Sequence, residues 1–160
     1  MSYSQPKKFK LTNSLRLLKE SKRIIPGASQ TLSKGYTQWS VGASPLFIER
    51  ARGCEVIDVD GNTYIDFAMG LGPFLLGYND VDINRAVRTQ LTKGTMFTLP
   101  HPLEIEAAKL IIKYVPSAEM VRFGKNGSDS TTASIRLARA YTGKDLIIAC
   151  GYHGWHDWYI

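Results

Sequence analysis

The residues best suited to chemistry fall in two short segments late in this 160-residue chain. The first is Phe123-Gly-Lys-Asn-Gly-Ser-Asp-Ser130, between a predicted strand, Met120–Phe123, and a predicted helix, Ser128–Tyr141. A helix N-terminus exposes unpaired backbone N–H groups and the positive end of the macrodipole, so such a turn can hold a phosphate. Gly127 lets the backbone approach an anion closely, and the Ser128 and Ser130 hydroxyls can add hydrogen bonds. The segment is neither a P-loop nor a GxGxxG turn. Its composition also suits an ordinary capped turn, with Ser128 or Asp129 as the cap, and on spacing alone that plainer reading is favoured.

The second segment is Cys150-Gly-Tyr-His-Gly-Trp-His-Asp157, at the end of a predicted strand, Asp145–Cys150. Ligands of open α/β sheets sit at the carboxyl ends of the strands. Tyr152 can stack on a planar ring, and His153 can polarise a group or relay a proton. Cys150, His153, His156 and Asp157 are metal-ligand types, but four ligands within eight residues of strand and turn do not converge tetrahedrally, so no metal is expected. For Trp155, Trp158 and Tyr159, plain aromatic packing competes with a functional reading.

Both segments need a scaffold. Apolar residues at Leu11, Leu15, Leu18 and Ile25 predict an amphipathic helix that stops at Pro26-Gly27. Residues 26–44 read as a loop, followed by strands over Leu46–Arg50, Glu55–Val59 and Thr63–Phe67, the last two joined by an Asp60-Gly61 hairpin turn. The glycine-rich stretch 69–77 leads to a helix capped by Asp80. Pro102 opens another helix, with Glu104 and Glu106 near its positive end and Leu103, Ala107, Leu110, Ile111 and Tyr114 on one face. The strand, helix and strand over 120–150 then predict a βαβ unit with a right-handed parallel crossover. Two parallel strands do not make a covered sheet, so the chain is expected to be the N-terminal piece of a longer protein.

Composition narrows the class. With 44% hydrophobic and 21% charged residues the chain is ordinary globular protein, not disordered or fibrous. No apolar run spans a bilayer and no secretory leader is evident, so neither membrane nor export is expected. Cys54 and Cys150 lack a CxxC pattern and read as reduced core residues rather than a disulfide framework, which predicts the cytoplasm. The net charge of +6 comes from residues 1–35, which carry +7 against −1 for the rest. Only Tyr3 and Phe9 interleave that basic arm, so a solvated helix face is favoured over a nucleic-acid patch.

The run Val121–Lys144, with Tyr152-His-Gly154, resembles the class III aminotransferases, nearest their glutamate-1-semialdehyde aminomutase-like branch. Upstream matches include Ile25-Pro-Gly27, Pro45–Arg50, Val59–Asp66, Gly72-Pro73 and Leu76-Gly77. The resemblance runs from about residue 15 to the end. It implies an α/β fold, the N-terminal part of a fold-type I pyridoxal phosphate (PLP)-dependent transferase. Residues 1–70 would form the arm, first helix and small antiparallel strands, and 71–160 the start of the large, mainly parallel PLP-binding domain. A homodimer is implied as well.

By the same resemblance Asn126, Gly127 and Ser128 occupy the family's Ser-Gly-Thr phosphate-cradle positions. Tyr152 takes the place of the aromatic stacked on the cofactor ring, and His153 is its companion. In the aminomutase an arginine after Pro-Gly engages the substrate carboxylate, and this chain has Lys34 there. Where the aminomutase has a tryptophan before Gly-Pro, Leu71 stands here. Both departures imply a different acceptor, a keto-sugar or other small carbonyl, with the aminomutase reaction and a noncatalytic PLP-fold protein as alternatives. The family's Schiff-base lysine has no matching position in 1–160, since Lys125 and Lys144 do not fit its motif.

Overall fold

A computed structural model of the chain describes residues 9–159. The chain divides into two compact units at Thr95/Met96. In the first, helix α1 (Thr12–Ile24) buries Ser14, Leu18 and Ser21, one stripe at helical spacing. No side chain of its own caps α1. The cap comes from the hairpin loop: Asp60 accepts the Asn13 N–H at 2.7 Å and the Ser14 N–H at 2.8 Å. A carboxylate on the first-turn N–H groups satisfies orphan donors and complements the macrodipole.

Strands β1 (Ile48–Arg52), β2 (Glu55–Asp58) and β3 (Thr63–Ile65) form an antiparallel sheet in that order. β1 runs two residues later than its sequence pattern predicts. A two-residue turn at Gly53-Cys54 sets Arg52 opposite Glu55, and the register is irregular between Ile48 and Arg50. Gly53 takes φ +57° and exchanges both backbone hydrogen bonds with Tyr78. The predicted turn between β2 and β3 holds, built around a completely buried carboxylate. Asp58 Oδ1 accepts the N–H groups of Asp60 and Asn62 at 2.9 and 2.8 Å. Its Oδ2 accepts the Asn62 amide at 2.7 Å and the Tyr64 hydroxyl at 3.2 Å. Burial, with the charge and hydrogen bond of Asp58, pushes the Tyr64 phenol up to about 12.

After β3, Asp66 turns the chain. It accepts the Tyr78 hydroxyl at 2.5 Å and the N–H groups of Ala68 and Met69 at 2.8 and 3.2 Å. The residues beyond it take an unusual course: Met69 and Leu71 both have positive φ, +46° and +69°. Helix α2 (Val81–Leu91) follows, capped as predicted by Asp80, which accepts the Asp82 and Ile83 N–H groups.

The hydrogen bond from Tyr78, foremost, holds the Asp66 carboxyl below the usual carboxylate range. A depressed folded pKa contributes stability that is present above the unfolded value near ~3.9 and is lost as pH falls through the folded one. The urea midpoint of the full-length protein is therefore expected to fall as pH drops from about 5 to 2. Tyr78→Phe should flatten part of that fall, and an unchanged acid limb would disprove the assignment.

The second unit holds α3 (Pro102–Tyr114) and α4 (Gly127–Thr142). Pro102 opens α3 as predicted, inside a capping box of His101 and Glu104. α4 starts one residue before its predicted beginning, and its cap is Asn126 rather than Ser128 or Asp129. Asn126 Oδ1 accepts the Asp129 N–H at 3.0 Å, while Asp129 Oδ2 accepts the N–H groups of Asn126 and Lys125 at 3.2 and 3.1 Å.

Neither 120–123 nor 145–150 enters a ladder among the described residues, so the parallel pair expected on either side of α4 is not formed. A crossover makes its two strands neighbours only when no other strand lies between them, and doubly wound sheets can insert one. Parallel strands are buried on both faces, whereas Leu146 and Ile148 are 87% and 92% exposed.

Candidate functional site

The candidate site lies in the second unit, where residues 150–156 dock on the first turns of α4. Asn126 and Asp129 consume each other's capping capacity, so no described residue accepts from the N–H groups of Gly127 and Ser128. Nothing lies within 4 Å of where a Gly127 Cβ would stand. Two donors at a positive helix end that no described residue takes up, with room beside Gly127, fit an anion such as a phosphate.

The docked loop approaches that turn as closely as it does because residue 154 is glycine. Gly154 is buried at φ +112°, and a Cβ there would lie 2.6 Å from Ser128 Oγ. The Thr131 hydroxyl lies 2.8 Å from the His153 carbonyl and 3.1 Å from that of Ser128, bridging loop and helix. His153 Nε2 lies 2.5 Å from the Cys150 carbonyl. A carbonyl only accepts, so that nitrogen carries the proton and the ring is turned onto its own loop. Tyr152 presents a ring that is 78% exposed.

The five residues assigned to the cofactor, Asn126, Gly127, Ser128, Tyr152 and His153, are thus gathered on two adjoining turns, with Asn126 serving as the helix cap. Lys34 and Leu71 both belong to the first unit. Lys34 ends a short 3-10 turn, Leu32–Lys34, and its ammonium makes no ion pair among the described residues. Leu71 is 68% exposed. Sequence reading missed Thr131 and the tight approach of Gly154. The signal for the second was present in Tyr152-His-Gly154, a glycine with no turn of its own to explain it. Among the described residues no group of three or more His, Cys, Asp or Glu side chains could hold a metal.

The family model of aminotransferase class-III matches residues 36–158. The chain belongs to the class III aminotransferases. It is 41% identical over 152 residues to the 3-aminobutyryl-CoA aminotransferase of Cloacimonas acidaminovorans, covering 94% of this chain and 36% of that protein. It is 44% identical over 151 residues to the glutamate-1-semialdehyde 2,1-aminomutase of Chloroherpeton thalassium, covering 92% and 34%. The FumI protein of Sphingopyxis sp. MTA144, solved with PLP, superposes with a TM-score of 0.81 at 34% identity, over 89% of this chain and 34% of that one. The chain spans about a third of the length of the relatives it matches. Its fold is that of the N-terminal part of these fold-type I PLP-dependent transaminases, a family whose cofactor is PLP.

Proposed function

We propose that the full-length protein is a PLP-dependent aminotransferase that moves an amino group from a small donor to a small carbonyl acceptor. The observation that carries this reading is the pair of unpartnered N–H groups at Gly127 and Ser128, beside a loop held in place by Gly154. When bound, PLP supplies the electron sink for carbanion chemistry at the amino-bearing carbon. This chain's residues supply its holding. The Gly127 and Ser128 N–H groups and the Ser128 hydroxyl take the phosphate, and the positive end of α4 favours its charge. The Tyr152 ring would stack on the planar cofactor ring and help exclude water from it. His153, fixed by its bond to Cys150, orients the loop carrying that ring. The reading includes a homodimer in the cytoplasm; Cys54 and Cys150, expected in the core, are instead both exposed, Cys54 in the tight turn between β1 and β2, and stand as unpaired thiols.

Ser128→Ala removes one charge-assisted hydrogen bond, worth about 1.5–3 kcal/mol. PLP affinity should therefore fall by roughly one to two orders of magnitude, read by titrating the apoprotein. Tyr152→Ala should also weaken retention, whereas Tyr152→Phe should do little because stacking needs the ring. Unchanged affinity in Ser128→Ala would reduce that residue to part of a helix end, and equal damage from Phe and Ala would remove the stacking role.

For the acceptor we propose a keto-sugar or comparable carbonyl, on Lys34 and Leu71. Lysine keeps the charge of an arginine clamp without its two parallel donors, and leucine occupies less space than tryptophan. Comparing kcat/KM for keto-sugars with that for glutamate-1-semialdehyde is expected to favour the sugars. Efficient conversion of the semialdehyde alone would give the aminomutase reaction instead, a reading favoured by the 44% identity to such an enzyme.

A further inference from the structure

We propose that His156 is a positioning residue of the phosphate cradle, balancing the charge of Asp129 so that the turn accepts a phosphate dianion. The inference rests on the cradle reading above and concerns a residue outside it. Asp129 sits in the first turn of α4, two positions from Gly127, so a bare carboxylate there opposes the charge the turn is built to hold. Its Oδ2 is occupied by the Lys125 and Asn126 N–H groups. Its Oδ1 faces His156 Nε2 at 3.9 Å, an ion-pair distance longer than a hydrogen bond.

The imidazole is held for this task. The Thr132 hydroxyl lies 2.8 Å from His156 Nδ1, and the Trp155 ring meets the imidazole edge-on, with centroids 5.6 Å apart. A carboxylate opposite Nε2 favours the proton on that nitrogen, so in the neutral ring Thr132 donates to Nδ1. Protonation of the ring puts a full positive charge against Asp129, leaving the helix end and the cradle N–H groups to act on the phosphate unopposed. Asp129 is the charged group that faces His156 from α4. The other titratable groups of residues 150–157 are Cys150, Tyr152, His153 and Asp157.

Three ties therefore fasten the loop to successive positions of α4: Gly154 on Ser128, the His153 carbonyl on Thr131, and His156 on Thr132 and Asp129. The first two hold the backbone, and only the third carries charge.

The test uses the full-length apoprotein, titrated with PLP and with pyridoxal, which lacks the phosphate. His156→Asn keeps a polar atom near Thr132 and loses the charge. It is expected to weaken PLP binding about fivefold near pH 6, as for a partly exposed pair. That ratio to the parent should shrink at higher pH, where a neutral imidazole sets no charge against Asp129. Pyridoxal affinity should not change, and the phosphorus resonance of bound PLP should shift in the variant. In an Asp129→Asn background the His156 substitution should have no further effect. A pH-independent loss shared by PLP and pyridoxal would make His156 merely structural and overturn the proposal, as would parental affinity at every pH. If His156→Asn does not fold, the parent compared with Asp129→Asn decides the matter. Identical pH profiles for those two would overturn it, and a profile that flattens only in Asp129→Asn would support it. A parent that binds no PLP refutes the cradle itself, a different outcome from either.

Discussion

Replacing Gly154 with alanine is expected to lower PLP affinity of the full-length protein by about 100-fold, the largest effect of any single methyl group in the site. Two costs combine. An L-residue at φ +112° stands outside its allowed backbone region, at roughly 1–2 kcal/mol. The new Cβ would also stand 2.6 Å from Ser128 Oγ and 3.2 Å from Ser128 Cα, so the loop must lift from α4. Lifting it breaks the 2.8 Å contact between Thr131 and the His153 carbonyl and carries Tyr152 away from its station. Titration of the apoprotein reads the loss. Adding Ser128→Gly to Gly154→Ala removes the Oγ and Cβ atoms that oppose the new methyl and should recover the part of loop packing lost to the clash, leaving the backbone cost and the missing serine hydroxyl. Affinity within a few-fold of the parent in Gly154→Ala alone would show that the loop does not depend on this approach.

The second large effect is on stability. Asp58→Ala is expected to destabilise the folded protein by about 3–5 kcal/mol, because it strands four donors, two of them buried, around a fully buried acceptor. Two backbone N–H groups, the Asn62 amide and the Tyr64 hydroxyl all converge on this fully buried carboxylate. Denaturant unfolding gives the magnitude, and ultraviolet titration of Tyr64 supplies an independent check. With the carboxylate gone, the phenol should fall from about 12 toward the ordinary tyrosine value. A loss below about 1 kcal/mol would mean that the hairpin reorganises around other acceptors.

What could be read from sequence was local. Asp80 and Pro102 identify helix starts because a cap and a first-turn proline act on neighbours in the chain. The cap of α4 was misassigned because Asn126, Ser128 and Asp129 are all good capping types. The deciding sign was Asp129 three residues after Asn126, the spacing of a capping box. β1 was displaced by two residues because its register comes from its partner across Gly53-Cys54, a relation that a period-2 pattern does not contain. Asp60 was read as a turn residue, yet its carboxylate caps a helix that begins 48 positions earlier, at Thr12. The proposed cradle residues come from the resemblance, whereas the contacts tying the start of α4 to residues 150–156 were not legible, because those contacts join positions more than 20 apart.

The backward-turning chain at Met69 and Leu71 has an evolutionary consequence. Both are L-residues in left-handed backbone, where glycine sits without penalty and an ordinary side chain costs roughly 1–2 kcal/mol. Drift governed by thermostability alone would erode Leu71 toward glycine or asparagine. Leu71→Gly is therefore expected to raise the thermal midpoint of the full-length protein, and an unchanged or lower midpoint would show that the left-handed backbone there carries no such cost.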